Sequence, residues 1–441
     1  MKYLAILTTA TMVAYTALSM AIQPNFTYLT VFSLGSISVS TFDLVFVTAL
    51  ALLLAHNAVH LRPDPVSANR YLLWLCAAYV IYQLAVVLPL AVVAHGIRPV
   101  DALRLVEVRL ALIMVPTISS VVLRYWKPST IIALVDVAAV GLVLWVLFRY
   151  FTVGGQGYWD GSVFRLRAVW GGATLLFAWL LFTSLFYWNT RFWRLALAGL
   201  ALVGIVLANH RSGILALGAA LAVQLAAMRG VTRRALLALV SFATVGVIVL
   251  MAAPSVRLNL EYSLSTMLNP NADATATDRV THSTLAWAYF VQHPLGDYVW
   301  NQRYYLTNVS PDQNFVPHNF VVQMLVTQGI VPSAFYFAII ALSLAIGWRN
   351  RRDNLSSVML AYLTFYLVMC LFNANIDLPE NIALFFLPVA LIVYQNRKLY
   401  LSRASRTAQG AVEAAEGAPA GHTLAPIKPS GGFGAVSETR S

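Results

Sequence analysis

An all-α polytopic membrane protein of about twelve transmembrane helices is the fold class this sequence predicts, on three observations. Charged residues are only 10% of the chain and apolar ones 59%, where a soluble domain carries about a quarter charged. Apolar runs long enough to cross a hydrocarbon core of about 30 Å recur along almost the whole chain. Lysines and arginines fall between those runs in an alternating pattern. The net charge of +12 therefore reads as topology. Nucleic acid is excluded as a partner because the basic residues are scattered between apolar runs and form no patch. Cys76 and Cys370 both lie inside apolar runs, so neither a disulfide framework nor a zinc site is expected.

Residues 1–22 hold one lysine and then an apolar run. Ser19-Met20-Ala21 resembles a signal-peptide cleavage site, but the run is long for one and reads as a retained first span. The further spans are expected at 41–60, 71–94, 105–123, 129–148, 169–188, 194–209, 212–228, 234–253, 318–346, 356–373 and 380–396. With both termini inside, nineteen of the twenty-nine Lys and Arg fall in inner segments, and each inner connection has at least two. The other ten are Arg98, Arg104, Arg109, Arg149, Arg165, Arg167, Arg211, Arg257, Arg279 and Arg303, with no lysine among them. A guanidinium fork grips phosphate with two parallel hydrogen bonds and keeps its charge, so an arginine-only outer face is compatible with an anionic substrate.

Two outer segments are long. Residues 149–168 mix turns with aromatic residues, and Tyr158 and Trp159 fit an interfacial belt. Residues 254–317, between the ninth and tenth spans, exceed any ordinary connection and are amphipathic from Arg279 to Phe290, which predicts helices along the membrane surface. The transmembrane domain is expected over 1–401. The Ala/Gly/Ser/Pro-rich tail, 402–441, reads as a disordered inner extension.

The chemistry-bearing stretch is Pro311 to Ile330, PDQNFVPHNFVVQMLVTQGI. Pro317 suits the first turn of a helix, which sets His318 and Asn319 at its opening. A helix N-terminus disfavours imidazolium, so His318 would stay neutral and able to accept a proton. The plainer reading is an interfacial histidine bonded to its loop. Arg211, beside His210 in NHRSG, either marks a membrane edge or holds an anion. On residue spacing alone, Asp278-Arg279 reads as a helix start with Asp278 or Thr277 as cap and Arg279 solvated. His282 and His293 have no carboxylate at ligand spacing, and no metal is expected. Asp136 lies within a span and far from the outer face, so no catalytic role is assigned to it. Asp377 and Glu380 flank the last outer turn, where they either orient a cation or are solvated.

Arg211 is followed four residues later by Leu215, and His318 eleven residues later by Gly329, with a long outer loop between the two pairs. In this the chain resembles the O-antigen ligase family of bacterial inner-membrane glycosyltransferases. The resemblance covers the architecture broadly and its motifs mainly 205–335. It implies transfer of O-antigen polysaccharide from undecaprenyl diphosphate to lipid A–core oligosaccharide at the periplasmic face, without cofactor or metal. It implies His318 as general base, and Arg211 with a loop arginine as the grip on the donor diphosphate. Arg279 is the choice for that second arginine, with Arg303 and Arg257 in the same loop. His210, Asn319 and Asp377 are possible supporting residues. The rival readings are an O-antigen polymerase, a protein O-oligosaccharyltransferase with the same donor, and a transporter of lipid-linked sugar. Polymerases of this kind usually carry two long arginine-rich outer loops. A transporter would place binding groups near the midplane.

Overall fold

The computed structural model describes residues 30–34, 37–40, 64–95, 109–152, 156–160, 163–167, 172–188, 192–208, 210–227, 274–296, 319–372 and 379–416, with isolated helical residues elsewhere. The spans expected at 1–22, 41–60 and 234–253 lie almost wholly outside the described residues.

The architecture is helical. Helix α1 is Ser67–Val93, α2 Ala111–Tyr125 and α3 Pro128–Thr152. Helix α4 is Ala173–Tyr187, α5 Phe192–Leu207 and α6 Arg211–Ala227. Then come α7 (Ala274–Gln292), α8 (Phe320–Gln328), α9 (Ile330–Arg349), α10 (Asn354–Leu371) and α11 (Pro379–Glu416). Among the described residues, four helices are long and apolar enough to cross a membrane, α1, α3 (over Pro128–Arg149), α9 and α10; four shorter apolar helices accompany them. The chain is an integral membrane protein.

Two antiparallel hairpins depart from the all-helical expectation. Strand β1 (Thr30–Leu34) pairs with β2 (Ile37–Ser40), and β3 (Gln156–Asp160) with β4 (Val163–Arg167), setting Tyr158 opposite Arg165 and Trp159 opposite Phe164. In each hairpin the strands are separated in sequence by Gly-Ser, a dipeptide suited to a tight turn, and the strands themselves carry β-branched or aromatic residues such as Val31, Phe32, Tyr158 and Trp159.

Helix α4 is the centre of the bundle. Every residue from Ala173 to Phe186 is buried, as befits a helix apolar on all sides. It packs on α3, α5 and α10, and Trp179 meets Tyr362 of α10 edge to face at 5.0 Å. Such a pair adds about 0.5–1.5 kcal/mol beyond its buried area. Helix α6 packs along α10, and α9 along α1.

Polar bonds define one end of the bundle, here called basal. Asn396 donates to Asn69 Oδ1 at 2.8 Å, and Asn350 to Asn396 Oδ1 at 2.8 Å. Arg397 pairs with Asp64, its Nε at 2.6 Å from Oδ2, and Gln395 donates to Asp353 at 2.9 Å. These bonds tie the start of α1, the α9–α10 turn and α11 together. At the same end Asn354 reaches the Tyr187 carbonyl at 3.0 Å, and Gln224 of α6 approaches Ser357.

Asp136 also belongs to this basal region. It accepts from Thr183 Oγ1 at 2.7 Å, Trp188 Nε1 at 2.8 Å and Arg194 Nη1 at 3.0 Å. The Arg194 guanidinium lies over the Trp188 and Trp193 rings, 4.5 and 3.9 Å from their centroids. A carboxylate inside an apolar helix is retained here as a paired structural group.

Two expectations are corrected. Residues 318–346 are not one span: the helix stops at Gln328, Gly329 takes φ +77°, and a new helix begins at Ile330. Continuous helix would separate Phe320 from Phe337 by about 25 Å. Their rings lie 6.1 Å apart, so α8 bends sharply against α9. The twenty residues of α9 span about 30 Å by themselves, so α8 is not needed to cross the membrane. In the tail, helix continues to Glu416 where disorder was expected, because LSRASRTAQGAVEAAE is mostly Ala, Arg, Gln and Glu, strong helix formers. Residues 417–441 lie outside the described residues.

Candidate active site

The end opposite the basal bonds holds the first of the functional candidates that the structure describes. Helix α6 begins there. The amides of Gly213 and Ile214 donate to the His210 carbonyl at 3.0 and 3.3 Å, which makes His210 the residue from which α6 departs and Arg211 its first helical residue. His210 is buried, and its Nδ1 shares a 2.6 Å hydrogen bond with Ser212 Oγ, also buried. The imidazole is thereby held at the helix start by its own chain. Gly213 faces Thr174 near the start of α4, at a separation where a Cβ would make ordinary contact, and Thr174 in turn donates to Met369 Sδ near the end of α10 at 3.1 Å. The first turns of α4 and α6 and the last turn of α10 therefore meet at one level.

Helix α8 begins against α9, where the Phe320 ring meets that of Phe337 at 6.1 Å. Asn319 is its cap: the backbone is extended (φ −122°, ψ 116°), and Oδ1 accepts from the amides of Val321 and Val322 at 2.9 and 3.3 Å. The helix starts at Phe320, so Pro317 is not in its first turn as the sequence suggested. An asparagine cap satisfies donors that have no partner inside the helix and contributes about 0.5–2 kcal/mol. His318 immediately precedes this cap in sequence but lies outside the described residues, as do Arg303, Arg257 and Asp377.

The long loop contributes α7. Its inner face carries Arg279 and His282, both half-buried, then Ala286 and Phe290, both buried. The spacing of three or four residues sets all four on one side. Ala286 and Phe290 pack with Val326 of α8, and Tyr289, Val322 and Leu325 close the cluster. Beyond α7 the chain turns through His293 to Gly296, and Ile330 N donates to the Pro294 carbonyl at 2.9 Å. Gly296 (φ +79°) then lies against Gly329. The last turns of the two helices meet there, and the apolar cluster continues back along both, so α7 and α8 run side by side in the same sense.

This arrangement fixes the height of Arg279. Helical rise places it about 20 Å before Gln292, whereas Asn319 stands about 13 Å before Gln328. Arg279 therefore lies roughly one turn beyond the α8 cap, at the level from which the chain enters that helix. An adjoining side of α7 exposes Val280, Trp287 and Val291, an apolar stripe of the kind an interfacial helix turns to lipid. Helix α10 packs on both α6 and α8 and is the common neighbour of the two motif helices.

The sequence named Arg109 only as one of ten outer arginines and did not single out Gln328. Arg109, only 4% exposed, precedes α2. Gln328, fully buried, ends α8 and accepts from Tyr79 Oη at 2.7 Å and Gln83 Nε2 at 3.1 Å. The available signal was a glutamine inside an apolar run, which is expensive unless bonded. Gly329 followed by Pro332 was likewise a readable stop and restart. Among the described residues, no group of three His, Cys, Asp or Glu lies together as metal ligands would.

Residues 196–337 match the sequence model of the O-antigen ligase family. The match opens in α5 and closes in α9, so it contains Arg211, the whole long loop with Arg279, His318 and the elbow at Gly329. No curated protein matches the chain.

Proposed function

We propose that this chain, whose residues 196–337 belong to the O-antigen ligase family, transfers polysaccharide from undecaprenyl diphosphate to the lipid A–core oligosaccharide at the periplasmic face of the bacterial inner membrane. The observation that supports this reading best is the docking of α7 on α8. It sets Arg279 roughly one helical turn beyond the cap of α8, the helix that His318 immediately precedes in sequence.

In this reaction His318 takes the proton of the acceptor sugar hydroxyl, and the hydroxyl oxygen attacks the anomeric carbon of the donor. The bond from that carbon to the diphosphate oxygen breaks, and undecaprenyl diphosphate leaves with its negative charge. Arg211 and Arg279 stabilise that charge without a metal, since a guanidinium presents fixed donors to phosphate oxygens. A neutral imidazole within hydrogen-bond reach of the hydroxyl contributes about 10²–10⁴-fold. Asn319 holds the start of α8 and so helps to orient His318. His210, Arg303 and Asp377 fill supporting places around the donor.

The test is transfer by the purified full chain, given undecaprenyl diphosphate-linked glycan with lipid A–core, a second lipid-linked repeat unit or a peptide as competing acceptors. The expected product is glycosylated lipid A–core. His318→Ala should lower transfer by at least about 100-fold while donor affinity stays within twofold. Arg211→Ala should weaken donor affinity instead. Normal transfer by the histidine variant rejects the base, and product on the repeat unit alone makes the protein a polymerase.

A further inference from the structure

The contact between Gly296 and Gly329 joins residues on either side of the chain segment that contains His318. A Cβ at Gly296 would overlap the Gly329 nitrogen and lie 2.6 Å from the Gln328 carbonyl carbon, and one at Gly329 would overlap the Leu295 carbonyl. Both residues also take a positive φ that side chains rarely adopt. The two requirements are separate: one concerns backbone conformation and the other concerns space. Two further bonds fasten the same point, from Gly296 N to the His293 carbonyl and from Ile330 N to the Pro294 carbonyl, both at 2.9 Å.

Above this point the described contact of α7 with α8 is an apolar cluster around Ala286, Phe290 and Val326. Smooth apolar faces of this kind tolerate sliding by a residue or a rotation. A backbone contact that admits no Cβ does not. Whatever fixes the last turn of α7 also fixes the height and facing of Arg279, because a helix transmits rotation and translation along its length.

We propose that Gly296 is a positioning residue, whose backbone contact with the elbow at Gly329 sets the register of α7 on α8 and so delivers Arg279 to the polyprenyl diphosphate donor. The part that concerns the donor rests on the function proposed above; the register itself does not.

The experiment uses the full-length chain with spin labels on Val280→Cys of α7 and Tyr71→Cys of α1, both strongly exposed, while the native Cys76 and Cys370 are buried. The label-to-label distance and the affinity for undecaprenyl diphosphate are measured for Gly296→Ala and Gly296→Asn. Asparagine tolerates positive φ but brings a Cβ, so it separates conformation from space. Under the proposal both variants shift the distance, and both raise the donor KM at least tenfold with a smaller effect on kcat. An unchanged distance overturns the proposal whatever the activity, as does full rescue by asparagine. A shifted distance with unchanged donor affinity keeps the register and overturns the donor role of Arg279. Should both variants fail to fold, one alanine inserted after Gln292 leaves the glycine contact intact and rotates Arg279 by about 100°. That variant should lose donor affinity to the same extent, and wild-type affinity in it overturns the proposal.

Discussion

The Tyr79 hydroxyl donates to Gln328 Oε1 at 2.7 Å, joining the middle of α1 to the residue just before the elbow. Gln83 Nε2 donates to the same oxygen at 3.1 Å from the first residue of a π-helical turn, Gln83–Val87. Gln328 Nε2 lies 2.8 Å from Met324 Sδ within α8. One buried amide thus ties the bent helix to a membrane-spanning one, at the position where α8 gives way to α9. Polar groups inside an apolar bundle persist when bonded in this manner.

Gln328→Leu should therefore lower stability. It strips the buried Gln83 amide of its acceptor, at a cost of about 1–3 kcal/mol. The thermal midpoint of the detergent-solubilised protein, followed by tryptophan fluorescence, is expected to fall by several degrees. A midpoint equal to that of the unaltered protein would show that the amide contributes nothing net.

Asn319→Ala should act locally. Loss of the cap costs the first turn of α8 about 0.5–2 kcal/mol, equivalent to about two- to thirtyfold in the population of the ordered start. Transfer should drop within that range, with little change in the thermal midpoint. Asn319→Asp retains a good capping oxygen and should recover most of the rate. If the aspartate variant is as slow as the alanine one, the amide serves in some way other than capping.

Asp136→Ala should show the opposite division. Removing the carboxylate leaves the Arg194 guanidinium among aromatic rings without its counter-charge, a loss of about 3–5 kcal/mol for a buried pair. The yield and midpoint of folded protein should fall, while kcat per folded molecule stays unchanged, because the pair lies at the basal end. A lowered kcat in the folded fraction would give Asp136 a part in the reaction.

The site was legible to unequal degrees. Arg211 and His318 drew notice in the sequence because a charged or ionisable group at an apolar boundary is costly, whereas Arg279 was chosen only through the family resemblance, and the roles of all three remain proposals. Helix α7 was visible as an amphipathic stretch, since residues three and four apart form one face. The start of α8 was placed slightly early, because Pro317 and Asn319 are both good helix-opening residues and only the bonds to Asn319 Oδ1 decide between them. The burial of Arg109 and the identity of the partners of Gln328 could not be read locally, because their surroundings are built by other helices.

By itself the sequence determined the membrane class, because hydropathy and the spacing of positive charge are properties of the chain read in order. It also determined the pairing of Arg211 with Leu215 and of His318 with Gly329. Tertiary structure alone decided what Gly329 is for. Read along the chain, it is a glycine three residues before a proline, which marks a break in an apolar run and nothing more. In the fold it is a bend with another glycine against it, because two backbones approach too closely there for any Cβ. Close approach between residues 33 positions apart depends on how separate helices pack, and no local pattern contains that information.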